Sequence, residues 1–541
     1  MSPLEVARSL RADPEAAARY RAAGWWSDAT LSARVAALAG SKPAAPAFIT
    51  PAGSFGWGAY DRAATRIAAL LAAMELAPGA RVAVLLPDGP AVHAALLGVE
   101  RARLVAVGIG ARAGLAEIAH LLGRTGAEVL IAHPVMRDRT IEELRDALAR
   151  IGAPVRHLLA VPDLMEARNW SAGAMPDHPP LRDPDPDALF LINSTSGTTG
   201  LPKCVMHTQN RWFYFHQVAA EAGRFAEDEI FLGAVPMPFG FGLWTAHFSP
   251  TILGVPTVVL PRFDAGVALD MIERERVTVL CCVSTQFIMM LNEQAERPRD
   301  LSSLRCMFTG GEAVPYRRAA EFEEVTGAAV LQFYGSNETG ALSRTTAADT
   351  REHRLTTAGQ VIPAMEVRLF DPATREEVAG RGQPACRGPA ACLGYWDDDA
   401  ANAALFTDDG WMLMGDIVEV DADGYLKVVG RTSEFIIRGG KNLSAPMIEA
   451  EVATHPSVAL CAAVPAPDPV FGERVCIYVA PRPNTQPTLD EITRHLTDRG
   501  VSREWFPEYL VLMDDLPRSS GGKVAKGELT ADARKRWGVP A

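Results

Sequence analysis

Residues 194–203 are the stretch of the chain best suited to hold a phosphate group. They read Ser-Thr-Ser-Gly-Thr-Thr-Gly-Leu-Pro-Lys, with five hydroxyls, two glycines and one cation. Glycines let backbone N–H groups converge on an anion, hydroxyls donate further hydrogen bonds, and lysine adds a compact positive charge. The apolar run at 188–192 predicts a buried strand before the loop, and residues 209–222 have helical composition. We therefore expect a polyphosphate site at the carboxyl end of a strand.

The same loop has two other interpretations. Clusters of Ser, Thr and Gly most often mark a surface turn, but this particular order of residue types is far more specific than its composition. A Walker A loop is excluded, because Pro202 precedes Lys203 where that motif needs glycine, and Cys204 follows where it needs Ser or Thr.

Further groups suited to nucleotide chemistry follow the loop. Residues 310–315 offer two glycines where a flat ring can approach the backbone, and residues 334–339 combine an aromatic face, small polar groups and a carboxylate. Asp416 can accept hydrogen bonds from ribose hydroxyls, and Lys523 follows a flexible pair of glycines. Taken singly, such residues are usually a turn aspartate, a packed tyrosine and a solvated lysine. Only the ordered set favours a nucleotide site.

Alternating strands and helices must position these groups. Before the loop, the pattern predicts a hairpin at 48–55, strands at 82–86, 104–107, 129–132 and 158–161, and helices at 61–74, 91–101, 116–122 and 142–150. After the loop, it predicts strands at 230–235, 257–260, 277–282, 306–308 and 330–333, and a helix at 267–276. Such alternation predicts a mostly parallel, doubly wound sheet in each half.

The pattern changes twice toward the C-terminus. Short runs from about residue 359 predict a β-rich subdomain, and the last unit follows with Ser444 capping a helix at 445–454, strands at 458–464 and 475–479, and a helix at 488–499. The expected fold class is α/β. We expect a large N-terminal domain of doubly wound α/β subdomains plus the β-rich subdomain (1–430), a hinge (431–434) and a small mobile α+β C-terminal domain (435–541).

Composition narrows the possible functions. The chain has 541 residues, 48% hydrophobic content and a net charge of −12, which fits large cores and argues against a nucleic-acid partner. Eight cysteines without a C-x-x-C pair argue against a zinc site or a disulfide framework. The N-terminus lacks the apolar core of a secretory signal, and no long apolar run occurs. We expect a cytoplasmic protein without a transmembrane segment.

Taken in order, these motifs resemble those of the adenylate-forming superfamily, which includes acyl-CoA synthetases, nonribosomal-peptide adenylation domains and firefly luciferase. The resemblance covers essentially the whole chain and implies that ATP, Mg²⁺ and CoA are used. It assigns the ATP phosphates to Ser194, Thr195, Ser196, Gly197, Thr198, Thr199, Gly200 and Lys203. It assigns the adenine site to Tyr334 with Gly310, Gly311 and Glu312, and it places Ala313, Gly335, Ser336 and Asn337 among the cofactor-binding residues.

The resemblance also gives roles to single residues. It implies that Glu338 binds Mg²⁺, that Asp416 holds the ribose, and that Arg431 contacts ribose or phosphate. Lys523 would bridge the substrate carboxylate and the α-phosphate, where a cation offsets the repulsion between two anions. Lys523, Thr198 and Glu338 are therefore the catalytic candidates.

The resemblance further implies a second half-reaction. In members that make thioesters, the C-terminal domain rotates after adenylate formation so that CoA can attack. Residues 438–442, with Gly439 and Gly440, would then line the approach of the thiol. The chain departs from the usual family residues at Ser433 in the hinge and at three secondary contacts, Asn337, Gln383 and Met414.

The acyl pocket is expected to be drawn from Phe239, Gly240, Phe241 and Gly310, with residues 284–287 beside them. Gly240 stands where aryl-acid activators of the siderophore type have asparagine, so one polar anchor for a hydroxylated ring is absent. Pockets of this class are mostly apolar, and we expect an apolar acid that is medium-chain, branched, alicyclic or simple aromatic.

The N-terminal residues 20–26, Tyr-Arg-Ala-Ala-Gly-Trp-Trp, look like the start of cyclohexanecarboxylate-CoA ligases and of dihydroxybenzoate activators. A packing role for the two tryptophans is the simpler interpretation.

The resulting hypothesis is an AMP-forming acid:CoA ligase, which makes an acyl-adenylate and then a carbon-sulfur bond. Two alternatives stay open: a stand-alone adenylating enzyme that loads an acyl or aryl group onto a carrier protein, and a catalytically silent nucleotide or acyl binder. The expected partners are a small-molecule carboxylic acid and CoA, and the chain is expected to be a monomer or a homodimer.

Overall fold

The computed structural model describes residues 12–136, 138–167, 169–170, 185–194, 202–311, 314–431, 435–438, 441–518 and 524–538. Within these ranges two large sheets, one smaller antiparallel sheet and one C-terminal sheet organise the chain. A short two-stranded ladder, Val135–Met136 with Arg139–Thr140, lies apart from them.

The first sheet carries the strand that leads into residues 194–203. Its described strands lie in the order Cys204–Thr208, Leu189–Ser194, Val105–Gly108, Arg81–Leu85, Val129–Ala132 and His157–Ala160. All neighbours are parallel except Cys204–Thr208, which runs antiparallel at the edge. Helices Leu115–Thr125 and Ile141–Arg150 cover the outer face of this sheet.

The second sheet carries the predicted adenine site. Its described strands lie in the order Gln360–Val361, Gly340–Arg344, Ala329–Ser336, Cys306–Gly310, Val279–Cys281, Phe231–Gly233, Thr257–Val259, Pro46–Thr50 and Gly53–Gly56. The central strands are parallel and the outer ones antiparallel. Helices Ala265–Glu275, Ser284–Glu296 and Tyr316–Thr326 cover its outer face.

One hydrophobic core fills the space between the two sheets. Inward residues of both sheets pack there against the helices Leu31–Ser41, Trp57–Ala72, Pro90–Arg101 and Asn210–Gly223. With the outer helices, this gives five layers in which sheets alternate with helices. The short helices Gly240–Gly242 and Ser249–Leu253 flank a π-helix, Leu243–Phe248, at the edge of this core.

Antiparallel strands follow the two layers. The third sheet has the described order Glu377–Val378, Glu366–Phe370, Arg381–Arg387, Asp416–Val420 and Leu426–Arg431, with Met412–Leu413 paired beside it. Helix Asp399–Leu405 contacts the strand Met412–Leu413, whereas helix Arg351–Thr356 packs against the strand Ala329–Ser336 of the second sheet. The expected α/β fold class with an added β-rich part is confirmed.

The C-terminal residues form a separate sheet with helices on both faces. Its described strands are Lys441–Ser444, Phe435–Arg438, Gly472–Pro481, Val458–Asp468 and Tyr509–Leu512. Helices Ala445–Val452 and Leu489–Asp498 pack on one face, and Lys526–Trp537 packs on the other. A short 3-10 turn, Arg503–Trp505, lies between them in sequence.

Local sequence signals explain several helix ends. Thr140 and Thr488 each begin a helix with a capping box, in which a glutamate three residues later bonds back to the capping N–H. Ser444 was expected to act in the same way, and this prediction is wrong. Ser444 stands at the N-cap position, but its buried hydroxyl makes no capping bond, and Pro446 follows inside the first turn.

The N-terminal tryptophans pack against the large domain. The helix Pro14–Ala22 precedes them, the indole of Trp26 is buried, and its Nε1 donates to the Pro389 carbonyl at 3.2 Å. The ring of Trp25 lies 6.0 Å from that of Tyr214. The packing interpretation is thereby confirmed. None of the helices in the described ranges has the length and apolar character needed to cross a membrane.

Two glycines on different helices differ in how closely other residues pack against them, and only Gly98 faces the central core. A Cβ added to Gly98 would lie 2.5 Å from Ile67 Cγ2, whereas one added to Gly123 would meet nothing within 4 Å. We expect Gly98→Ala to lower the free energy of unfolding by about 1–3 kcal/mol through overpacking. Gly123→Ala should raise it by up to about 1 kcal/mol through helix propensity. Urea unfolding followed by circular dichroism measures both, and equal effects of the two substitutions would contradict this packing.

Candidate functional site

Paired strand ends hold both ends of the predicted phosphate loop. Ser194 is the last residue of Leu189–Ser194, and Lys203 directly precedes Cys204–Thr208, whose first residue pairs with Ser194. The strand Cys204–Thr208 was not predicted. The loop is therefore closed by a β-ladder at its base. The remaining predicted phosphate residues lie outside the described residues: Thr195, Ser196, Gly197, Thr198, Thr199 and Gly200.

A tyrosine that the sequence analysis did not single out lies between Lys203 and Glu338. The Lys203 ammonium lies 4.7 Å from the centre of the Tyr395 ring, and the Tyr395 hydroxyl donates to Glu338 Oε1 at 2.7 Å. Burial, and then the Glu338 carboxylate, raise the pKa of Tyr395 above its ordinary value. The phenol therefore stays protonated and acts as a donor.

A tight turn presents the Glu338 carboxylate. Ser336 N–H donates to Thr339 Oγ1 at 2.9 Å, and the Glu338 and Thr339 N–H groups donate to Ser336 Oγ at 3.2 and 3.1 Å. Gly335 is required beside the turn, because a Cβ there would lie 1.8 Å from the Gly340 carbonyl oxygen. The short polar residues of this motif thus fix the backbone under Glu338.

The chemistry at Glu338 fits Mg²⁺. Among the described hydrogen bonds, Oε1 accepts from Tyr395 and Oε2 has no partner. Mg²⁺ commonly takes one or two protein carboxylates, with waters and substrate phosphates completing its coordination. No cluster of three or more metal-ligating side chains occurs within the described ranges, so a single-carboxylate site is the arrangement that these residues suit.

Two asparagines join the carboxyl ends of the two large sheets. Asn337 Nδ2 donates to Asn193 Oδ1 at 2.6 Å, and Asn193 Nδ2 donates to Asn337 Oδ1 at 3.3 Å. Asn193 Nδ2 also donates to the Pro238 carbonyl at 3.0 Å. Asn337, which departs from the usual family residue, therefore ties the Glu338 turn to the base of the phosphate loop and to the predicted acyl segment.

A buried arginine holds the other side of this turn. Arg211 is 2% exposed. Its guanidinium donates to the carbonyls of Asn337 at 3.0 Å, Glu338 at 3.2 Å and Ala390 at 2.8 Å. Burial lowers the pKa of Arg211 from its ordinary value, but a guanidinium stays charged in proteins. The charge of Arg211 is therefore stabilised by backbone carbonyl groups, two of which belong to the turn that carries Glu338.

Arg211 also sets the tautomer of a neighbouring histidine. Burial, and then Arg211, lower the pKa of His207 well below its ordinary value, so the ring is neutral. Nδ1 lies 2.7 Å from Arg211 Nη1 and must accept, so the proton is on Nε2, which lies 2.7 Å from Asn193 Oδ1. Asn193 Oδ1 therefore accepts from both His207 and Asn337. We call Asn193, Asn337, His207 and Arg211 the sheet-joining cluster.

Tyr334, Asp416 and Arg431 meet in one hydrogen-bonded group. The Tyr334 hydroxyl donates to Asp416 Oδ2 at 3.0 Å, and Arg431 Nε donates to Asp416 Oδ1 at 2.9 Å. Burial, and then Asp416, raise the pKa of Tyr334 well above its ordinary value. These residues are up to about a hundred positions apart in the sequence, and the motifs predicted that all three contact one nucleotide. In the structure the three side chains contact one another.

Two of the family departures contact each other next to Asp416. Gln383 Nε2 donates to the Met414 carbonyl at 2.5 Å, and Met414 N–H donates to the Pro384 carbonyl at 2.8 Å. The Gln383 side chain and the Pro384 carbonyl therefore hold the backbone that leads into Asp416.

The glycines of the predicted adenine site permit close backbone packing. Gly310 ends the strand Cys306–Gly310, and a Cβ there would lie 2.3 Å from the Phe333 carbonyl oxygen. Gly311 follows with φ +78°, a conformation that favours glycine. Glu312 and Ala313 lie outside the described residues.

Aromatic rings surround the predicted acyl segment. Phe239 caps the short helix Gly240–Gly242, and Phe241 lies 5.6 Å from the ring of Trp244. Trp244 is fully buried, with ring centroids 5.1–5.6 Å from three further phenylalanines, Phe215, Phe308 and Phe333. A Cβ on Gly240 would lie 3.4 Å from Asn337 Oδ1, so this segment and the Glu338 turn are neighbours.

The C-terminal site residues Lys523, Gly439 and Gly440 lie outside the described residues, as do Ser433 and the hinge at 432–434. Arg438, beside the glycine pair, is described. Its Nη1 donates to the Glu504 carbonyl at 3.1 Å, and its Nε lies 2.9 Å from Glu508 Oε1.

A partly buried carboxyl group, that of Asp88, anchors the backbone just before the predicted acyl segment. Met237 N–H donates to Asp88 Oδ1 at 2.7 Å, and burial raises the pKa of Asp88 to about 7. Because the unfolded carboxyl group titrates near pH 4, the folded chain keeps a proton that the unfolded chain has lost between about pH 4 and 7. Ionisation of Asp88 therefore lowers stability as the pH rises through this window.

We expect Asp88→Asn to abolish this titration while keeping an oxygen that accepts from Met237. The free energy of unfolding of the variant relative to wild type should rise by about 2–3 kcal/mol from pH 5 to pH 8, at about 1.4 kcal/mol per pH unit. Urea unfolding at the two pH values measures this difference. A difference that does not change with pH would show that Asp88 is already ionised at pH 5.

Sequence and structure comparisons agree with the motifs. The sequence profile described as AMP-binding enzyme matches residues 35–396, and that of the AMP-binding enzyme C-terminal domain matches residues 447–523. The chain is 27% identical over 534 residues to the medium-chain fatty-acid–CoA ligase of Escherichia coli (strain K12), covering 96% of this chain and 93% of that protein. It is 33% identical over 485 residues to feruloyl-CoA synthase of an Amycolatopsis species, covering 88% and 93%.

A solved structure extends the agreement to three dimensions. The ATP-bound crystal structure of MatB from Rhodopseudomonas palustris superposes with a TM-score of 0.80 at 26% identity, covering 94% of this chain and 99% of that one. The expectation of an AMP-forming ligase is confirmed by the family match and these relatives. The chain belongs to the AMP-binding enzyme family of adenylate-forming ligases.

Proposed function

We propose that this ligase activates an apolar carboxylic acid with ATP and transfers the acyl group to CoA, giving acyl-CoA, AMP and pyrophosphate. The observation that carries the proposal is the pair of hydrogen bonds between Asn193 and Asn337. This pair brings the base of the phosphate loop next to Glu338 and to the segment at Phe239. A triphosphate, its metal and an acid can therefore meet at one point.

The nucleotide would lie along the carboxyl ends of the second sheet. Tyr334 and the glycines Gly310 and Gly311 suit a flat adenine ring, and Asp416, held by Tyr334 and Arg431, suits the ribose hydroxyls. Glu338 would hold Mg²⁺, which when bound offsets negative charge on the triphosphate. Ser194 and Lys203, at the two ends of the phosphate loop, would flank the phosphates.

The first half-reaction forms a mixed anhydride. A carboxylate oxygen of the acid attacks the α-phosphorus, the bond to the β-phosphate oxygen breaks, and pyrophosphate leaves. Lys523 would bring the two anions together and stabilise the charge that develops on the equatorial oxygens. In the second half-reaction the CoA sulfur attacks the acyl carbon, the bond to AMP breaks, and the thiol proton passes to solvent.

The apolar walls of the pocket support the choice of acid. Phe239 and Phe241 are partly exposed aromatic residues, the buried Trp244 packs behind Phe241, and Gly240 supplies no polar side chain. One of the relatives named above acts on a medium-chain fatty acid, which is an aliphatic member of the proposed class. We propose a hinge at 431–434 for the exchange between the two half-reactions.

All eight cysteines are unpaired thiols, which supports a reducing, cytoplasmic setting.

Product analysis with purified protein tests the overall reaction. With Mg²⁺, ATP, CoA and a panel of carboxylic acids, we expect AMP and a CoA thioester in equal amounts, and only with apolar acids. AMP formed without thioester, but with acylation of a phosphopantetheinylated carrier protein, would contradict CoA as the acceptor. Absence of both products with every acid would favour the silent binder.

The role of Lys523 is tested by comparing the two half-reactions. We expect Lys523→Ala to slow acid-dependent exchange of pyrophosphate into ATP by about two to three orders of magnitude. Thioester formation from added acyl-adenylate and CoA should change much less, because the lysine would act only before pyrophosphate leaves. Lys526→Ala is the matched control, since Lys526 pairs with Glu449 at 2.9 Å and should leave exchange intact. Equal exchange by Lys523→Ala and wild type would remove the assignment.

A further inference from the structure

We propose that Tyr395 is a positioning residue that couples the phosphate-loop lysine to the magnesium-binding carboxylate. Its hydroxyl would orient Glu338, and its ring face would hold Lys203, so that metal and phosphate are received together. This inference rests on the proposed function, because it takes Glu338 as the metal ligand and Lys203 as a phosphate contact.

The hydroxyl of Tyr395 constrains one carboxylate oxygen and leaves the other to a ligand. It donates to Glu338 Oε1 at 2.7 Å, and Tyr395 is only 6% exposed. An ionised carboxylate can only accept, so at this distance the Tyr395 hydroxyl is the donor of the bond. Outer partners of this kind fix ligand orientation and typically change metal affinity or activity by about 10–100-fold when removed.

The ring of Tyr395 constrains the lysine. Lys203 Nζ lies 4.7 Å from the ring centre, within the range of a cation–π contact, which is worth about 0.5–2 kcal/mol. This contact holds the ammonium over the same ring whose hydroxyl bonds to Glu338. The two contacts of one side chain therefore fix a cation and an anion at a defined separation.

Tyr395 itself is rigidly mounted. Its N–H donates to Asn402 Oδ1 at 2.8 Å, and Asn402 Nδ2 donates back to the Tyr395 carbonyl at 2.9 Å. On the other side, Met206 N–H donates to the Gly394 carbonyl at 3.0 Å and Trp396 N–H donates to the Cys204 carbonyl at 2.8 Å. The tyrosine is thus attached to the strand that directly follows Lys203, and its position is set before any ligand arrives.

Metal binding separates this role from a merely structural one. Mn²⁺ is titrated, by loss of its free EPR signal, into protein saturated with a non-hydrolysable ATP analogue. We expect Tyr395→Phe to raise the Kd for Mn²⁺ by about tenfold or more while leaving the affinity for the analogue nearly unchanged at saturating Mn²⁺. Tyr395→Leu, which also removes the ring, should in addition weaken the analogue by about 2–30-fold.

A second tyrosine in the chain provides the matched control. Tyr425 is 8% exposed, and its hydroxyl donates to Asp349 Oδ1 at 2.7 Å, away from the predicted site residues. Tyr425→Phe removes an equivalent buried bond to a carboxylate, so its loss of unfolding free energy should match that of Tyr395→Phe. Its Mn²⁺ affinity should equal that of wild type.

A double substitution distinguishes a specific role of Tyr395 at Glu338 from a general loss of structure. In a Glu338→Gln background, Tyr395→Phe should cause no further loss of Mn²⁺ affinity, because the two residues act through one contact. Wild-type Mn²⁺ affinity in Tyr395→Phe, or additive losses in the double variant, would overturn the proposal. Failure of the proposed function would instead appear as wild-type protein that binds the analogue and Mn²⁺ but makes no AMP with any acid.

Discussion

The arrangement of the site depends on a buried polar contact between two sheets. Asn193 lies near the end of the strand Leu189–Ser194 in the first sheet, and Asn337 directly follows the strand Ala329–Ser336 of the second. The side-chain amides of these two residues form hydrogen bonds to each other. Arg211 and His207 are the other two members of the sheet-joining cluster. Arg211 donates to the Asn337 carbonyl and to His207 Nδ1. Because each donor in it meets a defined acceptor, loss of one member leaves a buried polar group unsatisfied, which costs about 1–3 kcal/mol.

This contact between the sheets would bring the proposed sites for the triphosphate, the metal and the acid next to one another. The first sheet leads into the proposed phosphate loop, and the second carries Glu338 and the glycines of the proposed adenine site. The hydrogen bond from Asn193 to the Pro238 carbonyl adds the proposed acyl segment. The cation of Arg211 is paired with carbonyl oxygens and with no described carboxylate. These hydrogen bonds hold the backbone of the turn that presents Glu338.

Much of the fold and the identity of the motifs could be predicted from sequence. Parallel strands gave clear apolar runs, and the motifs predicted that Tyr334, Asp416 and Arg431 lie together, as they do in the structure. The strand Cys204–Thr208 was missed because its five residues, which include His207, have no clean alternation. Tyr395 and Arg211 were missed because their partners are 57 and 126–127 positions away, and periodicity carries no information about such contacts.

The failure at Ser444 has the same origin. Ser before a helical pattern predicts a cap, but the Ser444 hydroxyl is buried and makes no capping bond, and its burial depends on tertiary packing that the local sequence does not show. Local signals thus located elements well and side-chain partners poorly, and the chemistry of the site lies in the partners.

The most direct test of the central claim is a crystal structure with a non-hydrolysable ATP analogue and Mn²⁺, with the metal located by anomalous scattering. The account predicts a metal peak about 2–2.5 Å from a Glu338 oxygen, with the triphosphate against the loop between Ser194 and Lys203 and the ribose at Asp416. A metal peak distant from Glu338, with the nucleotide bound away from the joined ends of the two sheets, would contradict it.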